Sequence, residues 1–203
     1  MWALVTDNTI TKIINNPKGM VIGDTRYSRN IFSFRWTNAE REAIGLYEVE
    51  FDNTNRKDEK WYINTNQSFA FAGGKITASY GSATAKAHAD TLFTAQDESD
   101  GLGTEGDVKD EGLKTKLIRT VKQQAAGILQ NTDWYIVRKA DAGTAVPSAI
   151  TTHRAAVRTK AAEMETAITN ASNTPALETL YTYTEQEDGS VTRPLGELPR
   201  LED

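Results

Sequence analysis

The two histidines of this chain lie far apart, and there is no cysteine. Without cysteine there are no disulfides, zinc–thiolate sites or thiolate nucleophiles. His88 has Asp90 two residues on, a pairing that could hold a metal or move a proton but that chance supplies in many chains. His153 falls between the apolar positions of a helical pattern and reads as a boundary residue. Asp97-Glu98-Ser99-Asp100-Gly101-Leu102 offers oxygens to calcium, but an EF-hand loop needs glycine at its sixth place and glutamate at its twelfth, where this chain has Leu102 and Val108. Ala72-Gly73-Gly74-Lys75 lacks the glycine spacing and the Ser/Thr of a phosphate-binding loop and reads as a hairpin turn. The carboxylate pairs Glu40/Glu42 and Asp110/Glu111 read as charged surface, and a glycan-cleaving enzyme would need an acid pair that the sequence does not locate. The expectation is a protein that is not an enzyme, with no catalytic residue, no cofactor and no metal.

The stretch that organises the chain runs from Gly112 to Ala171. Leu113, Leu117, Val121, Ala125, Ile128 and Leu129 recur at three- and four-residue steps, which predicts an amphipathic helix. Ile150, Val157, Met164 and Ala171 recur at seven-residue steps, with Ala161 and Ile168 between them. That repeat predicts a second helix packed along another, in the same chain or in a neighbouring copy. Between the two lies an aromatic corner, residues 131–138, in which Thr132 or Asp133 is expected to cap a turn of helix. Trp134 reads as a core plate between two thin stripes, and Tyr135 as a second plate with a polar tip. Asp141-Ala142-Gly143 supplies a turn, and Pro147-Ser148 opens the second helix.

Thr132-Asp133-Trp134-Tyr135, then Arg138-Lys139, Thr144-Ala145-Val146-Pro147-Ser148 and Arg154-Ala155-Ala156-Val157-Arg158, resembles the C-terminal module of bacteriophage tail-fibre assembly proteins and its longer variant in phage tail virion proteins. The likeness covers roughly residues 113–170. It implies a viral structural or adaptor protein that joins or supports tail parts, made in the host cytoplasm and present in the virion. The alternative it implies is a cytoplasmic assembly chaperone for the tail fibre, absent from the finished particle. The candidate interaction residues are Asp133, Trp134, Tyr135, Arg154, Val157 and Arg158, and no catalytic residue comes with the likeness. The implied partners are other phage tail proteins, the tail fibre among them, with no nucleic acid and no membrane.

The formal net charge of −5 matters less than its distribution. Residues 97–113 are strongly acidic, with Lys109 against seven acids. The helical stretch after them is basic, and the tail turns acidic again. Such blocks predict complementary contacts within or between chains. No hydrophobic run approaches the roughly 20 residues needed to span a bilayer, and the start, Met1-Trp2-Ala3-Leu4-Val5-Thr6-Asp7, is too soon polar for a signal peptide.

The expected fold class is α+β. Residues 1–80 read as a β-rich domain of small antiparallel sheets. Its first hairpin turns at Asp7-Asn8, its strands include Met20–Ile22 and Asn30–Phe34, and a short helix is capped by Thr37 with Glu40 three residues on. Many aromatics suggest a core, with some of them offered as contact surface. Residues 81–112 read as an alanine-rich segment, helical over Ala83–Ala95, followed by an acidic linker that holds the domain boundary. Residues 113–172 form the helical hairpin. Residues 173–203 form an extended arm with little reason to order against its own chain, so that the seam and the arm both point to a homo-oligomer or a ring of neighbours.

Overall fold

The computed structural model describes residues 1–201 and is an α+β protein. It divides into two compact units, Met1–Thr84 and Ala85–Asp203.

The first unit is built on a five-stranded sheet that curls into a half-barrel. β1 (Trp2–Thr6) and β2 (Thr9–Ile14) form the expected hairpin, and both Asp7 and Asn8 adopt left-handed backbone, as a two-residue turn between twisted strands requires. β3 (Met20–Ile22) pairs with β4 (Thr25–Tyr27) in a small separate hairpin. β5 (Leu46–Asp52) lies antiparallel to β1 and parallel to the strand Lys75–Ser79. After the two-residue β6 (Tyr62–Ile63), β7 (Ser68–Ala72) turns through Gly73-Gly74 into that strand, β8. The order is β2-β1-β5-β8-β7. The sheet is therefore mixed, and the small antiparallel sheets expected from the sequence are corrected: β5 and β8 are far apart in sequence and meet side by side.

Alternation puts Ala3, Tyr47, Val49, Ile76 and Ala78 in one core, and Trp2, Ile14 and Leu46 in another. The second core is covered by residues 20–44: the hairpin β3–β4, a 3-10 turn at Arg29–Phe32 and α1 (Asn38–Glu42). Asn30–Phe34, expected as a strand, is mostly that 3-10 turn, because Ser28 caps it and Ile31 needs to reach the core. The Thr37–Glu40 capping box forms as expected. Gly45 ends the segment at φ +76, and a Cβ there would stand 2.3 Å from the Val5 carbonyl oxygen, so only glycine fits. Arg41 is buried and donates to the carbonyls of Ile31 and Ser33, with its guanidinium 4.9 Å from the Trp2 ring.

The second unit begins at a two-residue strand on the boundary, β9 (Thr84–Ala85). Ala83–Ala95 is not a helix. It holds β9 and β10 (Thr91–Leu92), and its backbone is a platform on which the helical stretch starts: Leu113 and Lys114 donate their N–H groups to the carbonyls of Ala87 and His88. Residues 96–112 are not a linker either. They hold α2 (Ala95–Ser99), capped by Thr94 and Asp97, and β11 (Val108–Asp110), which pairs back on β10. Acidic residues that read as linker composition are drawn into caps and ion pairs here: Lys109 lies 2.6 Å from Asp97, and Arg119 grips Glu111 with two bonds of 2.6 Å.

α3 (Leu113–Gln130), α4 (Asp133–Ala142), α5 (Ser148–Asn170) and α6 (Thr174–Tyr181) complete the unit, with a last hairpin of β12 (Thr184–Glu185) and β13 (Val191–Thr192). α3 and α5 run antiparallel. Lys114 reaches the Thr169 carbonyl at one end, and Arg154 reaches the Leu129 carbonyl at the other. Leu117, Val121 and Ala125 pack into the seam of Ile150, Val157, Ala161, Met164 and Ile168. The seven-residue seam is thus covered inside the chain. The arm is also ordered against its own chain: Leu195 is 2% exposed, and its N–H donates to the Leu180 carbonyl. Leucine at that position supplies the apolar anchor that its two flanking prolines do not. No helix among the described residues is long and apolar enough to cross a membrane.

Candidate functional site

Helix α3 ends at Gln130, and only Asn131 and Thr132 separate it from α4. A helix end leaves carbonyl groups without partners and carries partial negative charge, while the next helix start carries partial positive charge. Arg154 on α5 answers the first of these. Its Nη1 donates to the Leu129 carbonyl at 2.7 Å and to Thr132 Oγ1 at 2.7 Å. Its Nη2 lies 2.8 Å from Asp133 Oδ1, in the first turn of α4. Arg154 is only 7% exposed, so this cation is taken out of water and held by three oxygens at once.

Thr132 is the corner residue that turns inward. Its hydroxyl donates to the Leu129 carbonyl while it accepts from Arg154, and it forms no side-chain cap on α4. The expected capping role of Thr132 or Asp133 is therefore corrected: both belong to a polar weld between α3, α4 and α5. Trp134 is corrected as well. The ring expected in the core is 51% exposed, and it is Thr132 and Arg154 that are buried where the helices meet. It lies against Tyr135, ring centroids 3.8 Å apart, and the Arg138 guanidinium sits 4.8 Å from the Trp134 ring. Ile136 and Val137 are also exposed, the latter by 65%, and α4 buries none of its residues fully.

Of the six candidate residues, the structure joins Asp133 to Arg154 and places Trp134 beside Tyr135. Val157 is fully buried core one turn from Arg154, and Arg158 is exposed and outside the corner cluster. His153, read as a boundary residue, is buried on the inner side of α5. His88 places Nε2 2.9 Å from the Ala171 carbonyl oxygen and so ties the platform loop to the end of α5. Its sequence neighbour Asp90 accepts from the Gly112 N–H at 2.6 Å and from Thr115 Oγ1 at 2.7 Å. The Thr115 hydroxyl, then the Gly112 N–H, hold the Asp90 carboxyl below the ordinary aspartate range. Asp90 thus caps α3 from a distance, where Gly112 at the cap position has no side chain to do so.

An open cleft of about 940 Å³ lies between α3, Met164 and the ordered arm, lined among others by Gln124, Gly127, Asn131, Tyr183 and Arg193. Three of its polar groups are engaged with one another: Glu197 accepts from Tyr183 Oη at 2.6 Å and from Arg193 Nη2 at 2.9 Å. Glu197 also keeps the Tyr183 phenol protonated to higher pH than usual. Among the described residues, no three acids or histidines gather closely enough to hold a metal.

Comparison with protein-family models, curated proteins and solved structures finds no match to this chain.

Proposed function

We propose that this chain is a non-enzymatic bacteriophage tail protein, a structural adaptor that joins tail parts such as the tail fibre, with α4 as its contact face. The supporting observation is the Asp133–Arg154 pair. These two residues belong to the two separated segments that carry the resemblance to tail-fibre assembly and tail virion proteins, and they meet at 2.8 Å in one corner. That corner carries Trp134, Ile136 and Val137 exposed on a short helix, the geometry of an apolar anchor for a protein partner. The test is protein quantification in purified particles of the phage whose genome carries the chain. Stoichiometric copies in clean particles are expected. Absence from particles, with recovery in a complex with the fibre in lysate, would replace this reading with the assembly-chaperone reading.

A further inference from the structure

Trp134, Val137, Arg138 and Asp141 fall at i, i+3, i+4 and i+7 on α4 and so share one face of that helix. Trp134, Val137 and Asp141 are exposed, which leaves the stripe uncovered. It carries one cation and one anion, and neither makes an ion pair among the described residues.

Arg138 turns back along the helix. Its guanidinium carbon lies 4.8 Å from the Trp134 ring centre and 5.5 Å from that of Tyr135. Its Nε is enclosed there without a hydrogen-bond partner among the described residues. The charge therefore sits level with Trp134, while Asp141 lies three residues on, toward the C-terminal end of α4. A guanidinium stacked on two rings and short of an acceptor is preset to meet a carboxylate.

The spacing on the stripe says which carboxylate fits. In a second α4 laid antiparallel on the first, with a two-fold axis between Val137 and Arg138, Trp134 of one copy faces Asp141 of the other. The carboxylate then arrives where the guanidinium already lies, once on either side of the axis. Val137 and the Trp134 rings supply the apolar part of the contact.

We propose that α4 packs antiparallel on α4 of a second copy of this chain, with Arg138 of each meeting Asp141 of the other. The proposal rests on reading α4 as the contact face and names what it contacts. A stripe with a single cation and a single anion is its own complement under that rotation, which selects a second copy over a purely acidic or purely basic partner. A ten-residue helix is about 15 Å long, so the contact is small and the dimer weak, with a dissociation constant of roughly tens of micromolar.

Sedimentation velocity of the full chain from about 5 µM to about 1 mM tests it. A monomer–dimer equilibrium that weakens with salt is expected. Arg138→Glu alone, and Asp141→Lys alone, should each weaken it at least about tenfold, because each sets like charges against one another. A cooperative melt of each variant shows that the fold is kept. An equimolar mixture of the two variants should restore the dimer, because both of its pairs are again opposite in sign. A monomer at every concentration, association that survives both single substitutions, or a mixture that stays monomeric would overturn the proposal. A monomer that loses its place in purified particles on Arg138→Glu would overturn it as well, and would give the face to another tail protein. Dimerisation through α4 by a chain absent from particles would uphold the proposal and remove the tail reading.

Discussion

Arg154 Nη2 and Asp133 Oδ1 stand 2.8 Å apart, with the same guanidinium bonded to the last turn of α3 through the Leu129 carbonyl. One buried side chain therefore holds the ends of two helices from a third. The Asp133 partner is half exposed, so water screens that contact, and the larger share of the weld lies in the two bonds to Leu129 and Thr132.

Removing that guanidinium leaves the buried Thr132 hydroxyl without its donor and takes one of several donors from the Leu129 carbonyl, which keeps the Thr132 hydroxyl and N–H. Arg154→Met is expected to destabilise the chain by about 3 kcal/mol, and Arg154→Lys to recover only part of the loss, since an ammonium cannot span the same three oxygens. Denaturant unfolding followed in the far ultraviolet measures both, and equal stability of wild type and Arg154→Met would contradict the weld.

Trp134 and Val157 should behave oppositely, although the sequence marks both as core. Trp134→Ala is expected to cost no more than about 1 kcal/mol, the share of its contacts with Tyr135 and Arg138. Val157→Ala should cost about 2 kcal/mol or more, because its side chain is fully enclosed. Thermal melts of the two variants decide it.

Gly45→Ala should destabilise the first unit by more than about 2 kcal/mol, as positive φ combines with a Cβ driven into the Val5 carbonyl. Gly73→Ala, also at positive φ but in open space, is the control and should cost less. Similar losses for both would remove the steric part of this account.

Asp97 gives a pH signature. The Lys109 ammonium first, then the N–H and hydroxyl of Thr94, hold its carboxyl at about 2, below its ordinary 3.8. A depressed carboxylate contributes stability that is fully present above the unfolded-state value and is lost as pH falls through the folded one. The β10–α2–β11 lobe should therefore loosen between about pH 4 and pH 2, and Asp97→Asn should remove that transition. Amide exchange of residues 95–110 against pH is the readout.

Much of the fold was legible in the sequence wherever a local signal decides the outcome. The Asp7-Asn8 turn, the Thr37–Glu40 box, the apolar spacing of α3 and α5 and the Gly143 stop all act within a few residues. The illegible parts depend on distant partners. The acidic stretch 96–112 reads as linker because its few apolar residues are half exposed even when folded, and its order comes from Lys109, Thr94 and the backbone platform at residues 87–90. The arm reads as extended because a single leucine, Leu195, anchors it. At the candidate site, the corner residues could be named, but Trp134 and Thr132 had their roles exchanged. One signal could have shown this: Arg154 sits four residues after Ile150 and three before Val157, on the inner stripe of α5, where a cation needs buried oxygens to face.

We propose that α4 is the face by which this protein takes its place in a phage tail. The direct measurement is the number of copies per purified particle when Trp134→Glu with Val137→Glu replaces the wild type, alongside a melt of the isolated variant. A folded variant with unchanged melting that is lost from the particles is expected. A folded variant incorporated at the wild-type copy number would show that α4 is not the contact face.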